Sequence, residues 1–452
     1  MKVLMRLALG PRLPVSPWNS DEILRAELFS IERLEQHAAS LATAQQVTER
    51  PTPCRSLRAR LRDNESVLLA AYRAIAAAAE EGRAISPAAE WLLDNYHLVE
   101  EQIREIRQDL PPGFYRLLPK LSNGPFEGYP RVLGVAWAFV AHTDSRFDPE
   151  SLRCFVRAYQ RVQPLSIGEL WAVAITLRIV LVENLRRAAA RIVNSRAARQ
   201  QADAVADRLL GVNGHSADPD ALDRRDTDPQ SFSPAFMVQL VQRLRDQDPR
   251  VTPALQWLEE RLAAQGTSSD ETVRDEHQRQ GASNVTVRNI ITSIRLLSDV
   301  DWPEFFESVS LVDELLRSGS DFAAFDFPTR DLYRRAIERF ARGSKLTELA
   351  VARAALAAAN DSAAADDLSD GRRRDPGYYL IANGRQVFAA SIGFRRRYLT
   401  WQSRLRPASG VGRYVAVIVL VAALVLSLPL RVLDGWGLSD ARLALLALLG
   451  MI

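Results

Sequence analysis

SIGELWAVAITLRIVLVENLRRAAARIVNSRAARQQADAVADRLL, residues 166–210, is the stretch whose reading decides the fold. Ser166 is placed to cap a helix, and Leu170, Ala174, Leu177, Leu181 and Leu185 recur at helical spacing. Between 170 and 182 the run is apolar nearly all round, Arg178 excepted. A helix apolar on every side is buried in a protein core or sunk in a bilayer. Glu169, Arg178 and Glu183 would be expensive in lipid, so the segment reads as a long, buried central helix.

The same periodicity runs outward in both directions. From Ser20, a candidate N-cap, Ile23, Leu24, Leu28, Ile31 and Leu34 predict an amphipathic helix. A second, alanine-rich helix is predicted over 57–79, ending near Gly82. Ser86-Pro87 opens a third with proline at its first position, running through Trp91, Tyr96, Val99 and Ile106 to the Pro111-Pro112-Gly113 stop. Asp148-Pro149-Glu150 repeats the start signal. Further helices are predicted over 236–245, 253–264, 287–297, 303–316 and 329–341. NVTVRNIITSI, at 284–294, is rich in β-branched residues and fits strand or helix; other strand signals are scarce. The reading is all-α.

Composition shifts suggest boundaries. We expect an N-terminal helical domain at 1–210, a linker at 211–233 and a second helical region at 234–362. An Asp/Arg-rich linker at 363–376 follows, then juxtamembrane basic helices at 377–412. YVAVIVLVAALVLSLPL, at 414–430, approaches the roughly 20 apolar residues that a membrane span needs. It predicts a transmembrane helix at 413–431. LALLALLGMI, from Leu443, predicts the start of a second span at 438–452, making a helical hairpin whose second helix is incomplete. Arg395, Arg396, Arg397, Arg404, Arg406 and Arg413 crowd the approach, which places the N-terminal part in the cytoplasm. The lipid bilayer is therefore an expected partner. The N-terminal MKVLMRLALGPRLP has too short an apolar core to make a good signal peptide.

The net charge of +3, with 25% of residues charged, gives no argument for a nucleic-acid partner. Cys54 and Cys154 lack metal-ligand spacing and read as free thiols. No phosphate-cradling glycine loop or serine-nucleophile elbow is present. His97 and His142, with Asp144 and Asp148, would make a metal site only if their helices converged; packing histidines and capping aspartates are the simpler reading. The triplets Asp218-Pro219-Asp220, Asp226-Thr227-Asp228 and Asp299-Val300-Asp301 invite a cation and a nucleotide diphosphate. The first two fall in the expected linker, and Asp301 is placed to cap the helix opening at Trp302-Pro303. No residue is assigned a catalytic, cofactor-binding or metal-binding role. Prolines and aromatics in PPGFYRLLPKLSNGPFEGYPRV, at 111–132, suggest an ordered loop packed by Phe114, Tyr115, Phe126 and Tyr129.

Several long stretches carry a resemblance: WLLDNYHLVEEQIREIRQDLPPGFYRLLPKL (91–121), the continuation to 187, IRLLSDVDWPEFFESVSLVDELLR (294–317), FDFPTRDLYRRAIERFAR (325–342) and DPGYYLIANGRQVF (375–388). They resemble the N-terminal region of bacterial cyclic β-1,2-glucan synthases. The resemblance implies a large inner-membrane enzyme that polymerises glucose from UDP-glucose with a divalent cation. It also implies a separate phosphorylase-like domain and delivery of the closed glucan to the periplasm. The transferase domain would lie beyond residue 452, so the chain is expected to be a non-catalytic portion whose partner is the remaining synthase. A stand-alone, membrane-anchored helical scaffold that binds a protein is the alternative. Oligomeric state is left open.

Overall fold

A computed structural model describes residues 18, 20–110, 112–210, 233–245, 252–264, 266–364 and 371–395. The expected hairpin at 413–431 and 438–452, the 211–232 part of the first linker and the first two Asp-x-Asp triplets lie outside them. Among the described residues, no helix is long and apolar enough to cross a membrane. These residues form two compact units, 1–318 and 319–452.

In the first unit, α1 (Ile31–Ala44) leads to a short strand, β1 (Val47–Thr48). Four helices follow: α2 (Leu57–Glu80), α3 (Pro87–Asp94), α4 (Tyr96–Asp109) and α5 (Pro112–Leu117). β2 (Lys120–Leu121) pairs antiparallel with β1, Val47 opposite Leu121. Next come α6 (Arg131–His142), α7 (Pro149–Val162) and α8 (Ile167–Leu210). The unit closes with α9 (Pro234–Leu244), α10 (Thr252–Ala264), α11 (Ser269–Asp299), α12 (Trp302–Val309) and α13 (Leu311–Gly319). The all-α reading holds.

The 166–210 segment is the axis of this unit. α8 packs against α2, α4, α6, α9 and α11. Leu177, Val180, Val182, Leu185 and Ala189 are all buried. Each aliphatic side chain of that size contributes about 1.5–3 kcal/mol when removed from water. Two of the expected start signals are used as read: Ser86 and Asp148 accept from backbone N–H groups at the openings of α3 and α7. Ser56, which the sequence reading did not mark, does the same at α2. At α8, Ser166 Oγ accepts from Glu169 N at 3.3 Å while the Glu169 carboxylate accepts from Ser166 N at 2.9 Å, a reciprocal capping box. The segment 284–294 lies inside α11 and is helical. Between β2 and α6, Gly128 holds φ +80°, and a Cβ there would meet Thr52 O at 2.4 Å, so the turn needs glycine.

Three helix expectations need correcting. Residues 21–30 are not helical; the first helix starts at Ile31, capped by Ser30. The helix expected from Ser86 to Pro111 breaks at Asn95 into α3 and α4. The one expected over 303–316 breaks at Ser310, whose Oγ accepts from Asp313 N and starts α13 afresh. Helices on both sides of the 211–233 segment fall in the first compact unit. α9 and α10 return to the far end of α8, where Val205 and Leu209 share a core with Phe236, Leu240, Leu244, Leu258 and Leu262. A composition shift marks a polar segment, but apolar contact decides which helices share a core.

The second unit, described over 319–364 and 371–395, holds α14 (Phe327–Gly343), α15 (Glu348–Ala364), α16 (Pro376–Leu380) and α17 (Arg385–Ser391). Ala363 and Ala364, expected in a linker, belong to α15. Asp375 caps α16 and accepts from Tyr333 Oη at 2.5 Å, which fastens α16 to α14. Gly377 leaves room for that bond, because a Cβ there would force the Tyr333 hydroxyl to move. Phe340 meets Phe388 and Phe394 edge-on, each at 5.3 Å, closing this core.

Candidate functional site

Three polar arrangements in the first unit stand out, and each is built on α8 or its neighbours. The most deeply placed centres on Glu183, whose side chain is 0% exposed. Arg60 of α2 grips its carboxylate through Nε at 2.9 Å and a terminal nitrogen at 2.7 Å. Arg187 adds Nε at 2.9 Å and Arg186 a contact at 3.2 Å. Burial pushes the Glu183 carboxyl up, but Arg60, Arg186 and Arg187 outweigh it and hold the group below its ordinary value. Arg60 lies over the Trp18 ring, Arg187 lies over Trp137, and Arg186 reaches Asp21 at 2.7 Å.

Residues 21–30 form a strap across this cluster. Its backbone groups are satisfied by side chains and main chain distant in sequence. Leu24 N donates to Asn184 Oδ1 at 2.6 Å, and Asn184 Nδ2 donates back to Leu24 O at 3.1 Å. Ala26 N and Phe29 N donate to the carbonyls of Ala141 and His142 at the end of α6. Arg187 donates to Glu22 O at 3.0 Å. The pattern Ile23, Leu24, Leu28 has helical spacing, but these external partners replace the helical ladder.

The second arrangement is the turn after α6. Asp144 and Ser145 stand at φ 49° and 61°, left-handed values that cost non-glycine residues on the order of 1–3 kcal/mol each. The turn is overdetermined. Asp144 accepts from Thr286 Oγ1 at 2.6 Å, and its carbonyl accepts from Asn289 at 3.0 Å. Ser145 Oγ accepts from Asn184 at 2.8 Å, and its carbonyl accepts from Ser293 Oγ at 2.7 Å. Asp144 therefore clamps the end of α6 to α11, and Ser145 ties it to α8 and α11.

The other residues flagged in the sequence do not gather around Asp144. His142 stacks on Phe29 at 4.0 Å, lies 4.5 Å from His37 and has Nδ1 2.8 Å from Glu27 O. Burial, then the neighbouring His142, hold the His37 imidazole below its usual value. His97 is exposed on α4 and Asp148 is spent on capping α7. Asp301 caps α12, accepting from Glu304 N at 3.0 Å, as its spacing suggested, and Asp299 is exposed at the end of α11. Among the described residues, no three His, Cys, Asp or Glu side chains gather to hold a cation. Cys54 and Cys154 are both free thiols.

The third arrangement is a cavity of about 430 Å³, within the range of small-molecule sites. The N-terminal part of α8 supplies Trp171 and Arg178, which lie on one face because seven residues make nearly two helical turns. α12 supplies Trp302, Phe305 and Phe306, α4 supplies Asp109, and Phe114 comes from α5. Trp171 stacks on Phe306, centroids 4.5 Å apart and planes 12° from parallel; Trp302 meets Phe305 edge-on at 5.4 Å. Arg178 pairs with Glu105 at 3.2 Å and Asp109 at 3.7 Å, yet its Nε is buried without a hydrogen-bond partner among the described residues. Asp109 keeps 60% of its side chain exposed and ends α4, where the helix dipole disfavours a negative charge. An aromatic floor with a few polar groups at one edge is the composition of a ligand site.

Sequence reading singled out none of the cavity residues for binding. The available signal was Arg178, the one charge in the apolar stretch, with Trp171 on the same face. It also missed Lys120, which is buried against Tyr115, its Nζ 2.9 Å from the carbonyl and 3.6 Å from the ring centroid. Burial pushes that ammonium down to about 8.

The chain is 40% identical, over 385 residues, to the cyclic β-(1,2)-glucan synthase NdvB of Rhizobium meliloti (strain 1021). The resemblance to the cyclic β-1,2-glucan synthases holds. The match takes in 83% of this chain and 13% of that protein, so the chain spans about an eighth of its relative's length. No protein-family model matches the chain.

Proposed function

We propose that the chain is the N-terminal, non-catalytic helical portion of a cyclic β-1,2-glucan synthase at the bacterial inner membrane. In this reading the helical units lie in the cytoplasm and the apolar segments at 413–431 and 438–452 enter the bilayer. The partner is the remainder of the synthase, which carries the glucosyltransferase acting on UDP-glucose. The work of the portion is positional: a stiff helical body that packs against the transferase and orients it at the membrane. The observation that carries the reading is identity of 40% along most of this chain but along only 13% of the relative. The use of charge supports it, since the carboxylates of Glu169, Glu183 and Asp144 hold helices together. Glu169, for example, is 0% exposed and forms a two-pronged pair with Arg131 at 2.8 and 2.6 Å.

The test is direct. Purified chain incubated with labelled UDP-glucose is expected to incorporate no glucose into glucan, and measurable incorporation would overturn the reading. Supplied together with the rest of a synthase as a separate polypeptide, it is expected to co-purify with it.

A further inference from the structure

We infer that the aromatic cavity between α4, α8 and α12 is a binding subsite for neutral pyranose units, such as those of a glucan chain. The choice of ligand follows from what the walls offer and what they refuse. Trp171, Trp302 and Phe306 give flat rings whose faces carry partial negative charge. A pyranose has C–H groups of partial positive charge on its flat faces, and hydroxyls around its edge that both donate and accept. Asp109, more than half exposed, accepts from such hydroxyls. Arg178, whose terminal nitrogens approach Glu105 at 3.2 Å and Asp109 at 3.7 Å, holds that carboxylate at the rim.

The charge balance selects further. The single cation at the rim, Arg178, faces two carboxylates, Glu105 and Asp109. A phosphate or a nucleoside diphosphate would meet net negative charge, so the cavity is not arranged for a nucleotide. A purely apolar occupant would leave the exposed Asp109 carboxylate without a new partner as it displaced its water. A neutral polyol with apolar faces satisfies both the rings and the rim. Asp109 at the end of α4 gains little for the helix, which fits a residue placed for a ligand.

The inference rests on the proposed function for the choice of sugar, and it is tested by a different readout. Full-length chain, kept free of alkyl-glycoside detergents, is titrated with linear β-1,2-linked glucose oligosaccharides and followed by tryptophan fluorescence and saturation-transfer NMR. Saturable binding with transfer to the ring C–H protons is expected, and UDP should not compete. Asp109→Asn, an exposed change that leaves the aromatic floor in place, should weaken binding about tenfold without lowering the melting temperature. Trp302→Ala should remove the fluorescence response. No saturable binding of the oligosaccharides, displacement by UDP or by a short alkyl chain, or unchanged affinity in Asp109→Asn would each overturn the inference. Glucose incorporation from UDP-glucose bears only on the non-catalytic reading, so either result leaves the other question open to its own answer.

Discussion

Arg178 and Arg187 stand on the same helix, about 14 Å apart along its axis, and have similar surroundings. Each pairs with acids, and each has a tryptophan nearby: Trp171 shares the cavity with Arg178, and Arg187 lies over Trp137. Yet Arg187 keeps 4% of its side chain exposed and donates to Glu183 and to Glu22 O, whereas Arg178 faces a cavity beside an exposed Asp109. What separates them is the strap. Residues 21–30 cross the Glu183 cluster and finish its hydrogen bonds, while nothing in the described first unit closes the aromatic cavity in the same way. Residue type alone does not distinguish a structural ion cluster from a ligand edge; the cover does.

The contrast is broken most severely at Glu183. Glu183→Ala leaves Arg60, Arg186 and Arg187 facing one another without their shared anion. It should cost about 3–5 kcal/mol in urea or thermal unfolding, as for other buried pairs stripped of one partner. Next comes the Asp144 clamp. Asp144→Ala loses the carboxylate that accepts from Thr286 and pairs with Arg25, and keeps a β-carbon at positive φ, so a loss of about 2–3 kcal/mol is expected. Asp144→Gly loses the same bonds but relieves the backbone, and should be milder by about 1 kcal/mol. Equal losses would mean the left-handed turn carries no strain.

Lys120 sharpens the comparison from the other side, as a buried cation with no carboxylate pair among the described residues. Its proton is held less tightly when folded, since burial lowers it from 10.5 to about 8. Between those values the unfolded chain binds more protons, so this residue's contribution to stability should rise as pH climbs from about 8 towards 10.5. Lys120→Met should flatten that rise in pH-resolved unfolding curves. The smallest effect belongs to the open site. Asp109→Asn should move stability by no more than about 0.5 kcal/mol, upward if at all, because it removes a negative charge from a helix C-terminus. A large loss would show that Asp109 is structural, like Glu183.

Much of this architecture was legible because its signals are local. Ser86-Pro87, Asp148-Pro149 and Ser166 with Glu169 announce their helices within a few residues, and Asp301 capped α12 as its spacing suggested. The break at Ser310 was legible in principle, since Ser310 and Asp313 have capping spacing, but the surrounding apolar periodicity hid it. The strap was not legible. Its apolar positions repeat as a helix would, and the groups that hold it extended, Asn184 and the end of α6, are more than a hundred residues away. The cavity is similar: Trp171 and Arg178 share a face, but Asp109 and Trp302 join them only through packing.

The strap also has a consequence for synthesis. Leu24 leaves the ribosome 160 residues ahead of Asn184, to which it must bond. At roughly 5–20 residues per second the delay is on the order of ten seconds. Throughout that interval Ile23 and Leu24 are apolar residues without the surface that half-buries them in the folded unit. The strap, made well before α8, is therefore among the last parts of this unit to dock, and in the meantime it is a natural client for a chaperone at the exit tunnel.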